Sequence, residues 1–413
     1  MLQMSSREIS LTNRSRIKLP PMNTQNTPVH IKLWHREFWL MAIANLMLSM
    51  SAYILIPTLP LWLFDAGNFS AAEVAVSMGV FGIGLYALGG FCSFLVQHYR
   101  RNAMCMWAIG AIAVCLAVMY YMNNVKCELI GVWTVIALRF LTGAFYGLAQ
   151  MILTSTLIID TSESFQRTEA NYSAAWFSRF ALSLGPIAGL ILYRIVGFNG
   201  VLIASACCAL TAIILIKIVK FPFRAPEDHI HLWSLDRFFL THGLWLFVNL
   251  MLITTVVGLV MSMALNDWFY AIMMAGFFLA ILSQRFAFRE AELKSEVVTG
   301  LILMIASLLV MFIQQGGPIS YISPLFIGMG IGIIGARFLL FFIKLSRHCQ
   351  RGTSQSMFML GWESGLAFGL AAGYGCFHGN EHDGLLTAIA LTVVALLFYN
   401  YFTHNWFIRH KNR

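Results

Sequence analysis

The chain has 413 residues, 59% of them hydrophobic and only 11% charged, against about 25% charged in a soluble globular protein. Charge this sparse cannot coat a water-exposed surface, and the mean hydropathy of +0.74 agrees, so a soluble enzyme or binding domain is excluded. The net charge of +9 calls for no nucleic-acid partner, because the basic residues are laid out as a membrane-topology signal.

Residues 1–30 are polar, contain proline and have no apolar core, so they do not make a secretory signal. A disordered cytoplasmic tail is expected over 1–36. Twelve apolar stretches follow, at 38–64, 72–96, 103–122, 129–159, 170–193, 197–219, 239–264, 268–286, 297–315, 319–344, 353–377 and 384–407. Most reach the roughly 20 residues that a helix needs to cross the hydrocarbon core. Barrel strands would instead alternate in segments of about 10 residues. The expected fold class is an all-α integral membrane protein with twelve transmembrane helices.

With the N-terminus inside, 22 Lys and Arg fall in inside segments and only Lys126 and Arg194 fall outside. Shifting the register by one span would destroy that bias. Both termini are therefore expected in the cytoplasm, with the chain in the plasma (inner) membrane.

Along the chain, helix 1 carries Asn45, Ser49, Ser51 and Tyr53. The segment SAAE (70–73) is a capping box opening helix 2. Helix 4 contains ALRFLTGAFYGLAQ (137–150), where Arg139 stands in an apolar run and Gly143 and Gly147 follow at four-residue steps. That spacing puts both glycines on one face and lets a neighbouring backbone approach. Helix 5 holds Arg179 and LSLGPIAG (182–189). Residues 220–238, with two prolines and several charges, read as a cytoplasmic linker between an N-terminal bundle (37–219) and a C-terminal bundle (239–407), with 408–413 as a tail. Helix 7 carries Asn249, Thr254 and Thr255. The GIGIIG run (330–335) lacks the strand and βαβ setting of a nucleotide site and reads as a helix-packing face. His378, His382 and Asp383 read as a solvated outer loop. The eight cysteines form no spaced metal or disulfide set, and no metal site is expected.

The two halves echo each other. Shifted by 184 residues, QRTEANYSAAWFSRFALSLGPIAGL (166–190) overlies QRGTSQSMFMLGWESGLAFGLAAGY (350–374), matching Gln166 with Gln350, Arg167 with Arg351, Gly185 with Gly369 and Gly189 with Gly373. Such internal duplication is typical of secondary transporters. It predicts two pseudo-symmetric six-helix bundles.

This layout resembles the major facilitator superfamily. Arg139 with Gly143 and Gly147 resembles that family's helix-4 motif. Gly185, Pro186 and Gly189 resemble the helix-5 motif of its proton-coupled antiporters, although Ala181 and Leu190 replace other glycines. In the loop after helix 2, Ser93 and Gln97 stand where the family has a glycine and an aspartate, while Arg100 and Arg101 are kept. The resemblance implies secondary transport of a small molecule by alternating access, with proton-coupled efflux by antiport favoured. A proton-coupled importer is the alternative, and a non-transporting receptor the next. A membrane-embedded enzyme is not expected, for no nucleophile–base set stands at one face. No cofactor is expected, the proton gradient supplies the energy, and the absence of a Walker motif argues against ATP. Membrane lipid surrounds the chain, and a monomer suffices.

Ionisable groups inside a span are costly and mark function. The candidates are Arg139, Arg179, Arg337 and Glu363. The repeat places Arg179 and Glu363 at equivalent positions, where they are expected to face each other across a central cavity as an ion pair or as substrate contacts. Burial and a nearby guanidinium act oppositely on a carboxyl, which suits Glu363 to carrying a proton. Arg337, near the cytoplasmic end, is expected to snorkel. Asn45, Tyr53, Gln150 and Asn249 are expected to line the pathway, with Tyr86 and Trp176 as weaker candidates. Gly143, Gly147, Gly185, Pro186 and Gly189 are assigned to packing and gating.

Overall fold

The computed structural model describes residues 32–65, 67–125, 131–221, 231–264, 266–288, 291–313, 322–347 and 350–411. Residues 1–31 of the expected tail, residues 222–230 of the expected linker and the last two residues lie outside these. The described backbone is helical with no strand, which satisfies every N–H and C=O within its own segment, as lipid requires.

Among the described residues, eleven helices are long and apolar enough to cross a membrane: α1 (Arg36–Asp65), α2 (Ala71–His98), α3 (Arg101–Asn124), α4 (Val132–Asp160), α5 (Arg167–Val196), α6 (Phe198–Ile218), α7 (Thr241–Met263), α8 (Asp267–Phe286), α9 (Leu293–Ile313), α10 (Ile322–Leu345) and α12 (Glu381–His410). Between the last two lies α11 (Arg351–Cys376), 26 residues long. It completes the expected twelve but is more polar, with Thr353, Ser354, Gln355, Ser356, Glu363 and Ser364 all buried along it. Lipid-facing helices must be oily, and a helix enclosed by protein need not be. Accordingly α3, α6, α9 and α12 turn Trp107, Val114, Ile203, Ile302 and Leu397 outward.

The duplication is visible in the packing. A Cβ on Gly143 of α4 would collide with the Phe81 carbonyl oxygen of α2, and one on Gly147 would sit 2.6 Å from the Leu85 carbonyl oxygen. In the second half, Gly328 of α10 meets Met273 of α8 in the same way. Gly185 of α5 lies against Tyr53 of α1, and its repeat mate Gly369 of α11 lies against Thr255 of α7. Pro186 sits within the continuous helix α5, whose neighbouring Gly185 and Gly189 admit α1.

Proline shapes α1 as well. Pro57 has no N–H to offer the Tyr53 carbonyl four residues back, and the helix resets at Ile54 between Arg36–Tyr53 and Leu55–Asp65. The Ser70 capping box with Glu73 opens α2 as expected.

With twelve crossings, the two ends of the described chain lie on one face. On that face Arg101 forms an ion pair with Asp160, joining α3 to the end of α4. Gln97 donates to Ser93 at 2.8 Å, so these two bond within their own helix. The described end of the linker packs over α2, with Trp233 against Gly90 and Phe238 against Gly89. Arg237 donates from its backbone N–H to Thr353 and from its guanidinium to Thr156, tying the two bundles together. On the opposite face, Arg194 of α5 pairs with Asp267 of α8 at 3.1 Å, and Phe64 stacks on His378 at 4.4 Å. The bundles therefore touch at both ends.

Candidate functional site

Between the bundles lies a cavity lined by Asn45 and Tyr53 of α1, Gln150 and Thr154 of α4, Arg179 of α5, and Gln355, Trp362 and Glu363 of α11, among others. Its central free space is about 30 Å³, room for about two water molecules. A second narrow cavity is lined by Tyr53, Phe81, Arg139, Glu363 and Leu370. Glu363 and Tyr53 belong to both. They stand between a compartment holding Arg179 and one holding Arg139.

Glu363 is 5% exposed. Its Oε1 accepts from the Tyr53 hydroxyl at 2.5 Å and from the Tyr146 hydroxyl at 3.2 Å. Both donors come from the opposite bundle. Gln150 Nε2 in turn donates to Tyr146 Oη at 3.4 Å and to Ser49 Oγ at 3.0 Å, and Ser49 bonds Ser178 at 3.0 Å. One polar chain thus runs from α11 through α4 and α1 to α5. Every member bonds at least one other, which lowers the cost of burying polar groups among helices.

Arg179 and Glu363 share the cavity, as the repeat predicts, but among the described residues they form no ion pair. Arg179 lies over the ring of Trp176 at 4.6 Å and faces Trp362 at 5.9 Å. Arg139 is also stacked, 4.7 Å over Phe81, with Nε donating to the Ser77 carbonyl at 3.5 Å. The arginine thus pins α4 to α2 beside the Gly143 and Gly147 approach.

Two expectations are corrected. Arg337 does not snorkel: it forms an ion pair with Glu296 of α9, which is 1% exposed. Asn249 lies off both central cavities, because its amide donates to the Ala395 carbonyl of α12 at 3.1 Å and so fastens two helices of one bundle. Asn45 makes a comparable bond to the Ala174 carbonyl at 3.0 Å yet still lines the cavity. Tyr86 crosses the seam to Ser364 at 3.1 Å. Sequence reasoning passed over Tyr146 and Trp362. Tyr146 lies seven residues after Arg139 and four before Gln150, on the same face of α4, and that spacing was its signal.

The sequence profile of the Major Facilitator Superfamily matches residues 41–370. No curated protein sequence matches. Several solved structures share the fold. A bacterial homologue of the human lysosomal transporter Spinster, inward-facing and unoccupied, has a TM-score of 0.67 at 11% identity, covering 91% of this chain and 98% of that one. The POT family transporter PepTSo gives 0.67 at 11%, covering 91% and 99%. The human organic anion transporter MFSD10 gives 0.65 at 13%, covering 87% and 98%. At these identities the likeness is one of fold. The profile match, however, takes in both bundles and the cavity they enclose, and by it this multi-pass membrane protein belongs to the major facilitator superfamily.

Proposed function

We propose that the chain is a proton-coupled secondary transporter that moves a small molecule by alternating access, with Glu363 as its proton carrier. Family and fold place it among transporters rather than enzymes. The observation that carries the proton assignment is the position of Glu363 on the seam. Its two hydrogen-bond donors, Tyr53 and Tyr146, belong to the other bundle. When the bundles rock apart, the carboxyl loses those donors and meets water. Its affinity for a proton therefore differs between the two states, as proton coupling requires. The charge bias puts the termini-bearing face in the cytoplasm.

The helix-5 glycines and Pro186 favour export by antiport. One observation favours a second reading, symport: Arg179 adds to the cavity a positive charge with no counter-ion among the described residues. An anion bound there and a proton on Glu363 attract each other and travel together.

In cells lacking their own pumps, wild-type protein is expected to extrude a dye or drug, and a protonophore to abolish that extrusion. Extrusion indifferent to the protonophore sinks the coupling, and proton uptake together with an accumulated anion replaces antiport by symport. A cross-link separates transporter from receptor. A Cβ on Gly79 would lie 3.0 Å from Cβ of Ala371, within a small shift of the ~3.5–4.5 Å of a disulfide. Oxidised Gly79→Cys/Ala371→Cys is expected to lose transport fully and regain it on reduction. Undiminished transport by the locked protein counts against rocking bundles.

A further inference from the structure

Arg179 is 2% exposed, and its three guanidinium nitrogens are buried with no hydrogen-bond partner among the described residues. A guanidinium offers five N–H donors, accepts nothing and stays charged. Burying it unanswered is expensive. Glu363 does not answer it, for among the described residues the two form neither an ion pair nor a hydrogen bond. What holds Arg179 is aromatic: its guanidinium lies 4.6 Å from the centre of the Trp176 ring and 5.9 Å from that of Trp362. Gly335 of α10 leaves the room, for a Cβ there would fall 2.6 Å from the Trp362 ring and 3.0 Å from Arg179 Nε. The GIGIIG run therefore does more than pack helices.

Two more polar atoms on the cavity wall lack a partner among the described residues, Asn45 Oδ1 and Gln355 Oε1. Both are acceptors. The missing group must therefore bring an anionic acceptor to Arg179 and N–H or O–H donors to its neighbours. A carboxylate matches the guanidinium fork with two parallel bonds, and the tryptophan faces suit a flat ring.

We propose that Arg179, held against Trp176 and Trp362, binds the carboxylate of a flat, ring-bearing organic acid that also carries a hydrogen-bond donor, and that this acid is the transported substrate. The inference rests on the transporter reading and not on its direction. The clamp is divided across the seam. Trp176 and Arg179 come from the N-terminal bundle, Trp362 and Gly335 from the C-terminal one. Rocking the bundles apart opens the clamp and supplies the space that the present cavity lacks.

The test uses the purified full-length protein. Its melting temperature is titrated with 4-hydroxybenzoate and indole-3-acetate, each beside its uncharged amide and its amine (4-hydroxybenzamide and 4-hydroxybenzylamine, indole-3-acetamide and tryptamine). At least one acid is expected to bind about tenfold or more tightly than its amide and amine, the margin of a charge-assisted pair. Arg179→Gln is expected to erase that preference and Arg179→Lys to keep part of it. The wild-type comparison of acid with amide needs no variant to fold. Neither acid binding, equal binding of acid and amide, or a preference that survives Arg179→Gln overturns the proposal. Liposome transport by the same preparation separates the two readings. An acid bound but never moved keeps the site and removes the transporter. Transport of a cation or neutral compound indifferent to Arg179→Gln keeps the transporter and removes the site.

Discussion

Glu363→Gln is expected to lose gradient-driven accumulation by about 100-fold, the scale on which a positioned proton-transfer group matters, while counterflow exchange stays within a few-fold of wild type. Glutamine has nearly the shape of a protonated glutamate. Its amide oxygen still accepts from Tyr53 and Tyr146, so the junction of α1, α4 and α11 keeps its geometry. What the amide cannot do is release a proton. Exchange needs the bundles to rock with substrate aboard. Net transport against a gradient needs the carboxyl to unload on one side. Matched loss of both activities means that Glu363 holds the fold or the substrate, and unchanged accumulation means that the proton travels elsewhere. The measurement is paired uptake and counterflow in proteoliposomes of equal protein content, with and without an imposed pH step. Tyr53→Phe, which removes the shorter of the two bonds, is expected to shift the pH dependence of accumulation while counterflow persists.

The sequence carried the architecture because lipid leaves so little choice. Apolar runs, basic loops and the 184-residue echo are one-dimensional signals of helices, sidedness and duplication. The echo extends to detail: α5 begins at Arg167 and α11 at its repeat mate Arg351. What one dimension does not hold is which partner a polar side chain finds. The repeat brings Arg179 and Glu363 to one cavity, yet equivalence of place says nothing of bonding, and each is held by aromatic residues instead. Asn249 shows the same limit. Its place in the first helix of the second half suggests the cavity, but its rotation about the helix turns it to α12. Trp362 sat beside Glu363 in a chain that is 14% aromatic, where one ring more carries no signal until its neighbour is seen to be a buried guanidinium.

The two arginines of greatest contrast are expected to respond oppositely to the same substitution. Arg337→Met is expected to cost about 3–5 kcal/mol, because Glu296 is then left as a buried charge with no counter-ion. Adding Glu296→Gln should recover most of that loss, since neutral partners of similar volume replace a buried pair at little cost. Arg179→Met should do the reverse and stabilise the ligand-free protein by about 1 kcal/mol or more, for it removes an unpaired buried charge at the expense of two aromatic contacts. Thermal unfolding in one detergent, with wild type, Arg337→Met, the Arg337→Met/Glu296→Gln double variant and Arg179→Met side by side, measures all of it. The sign at Arg179 is the informative part. A stabilised but inactive Arg179→Met is the mark of a residue kept for its ligand at the expense of the fold. A destabilised one means that the tryptophan clamp is structural, and the positive charge at the centre of the cavity then has to be explained without a substrate.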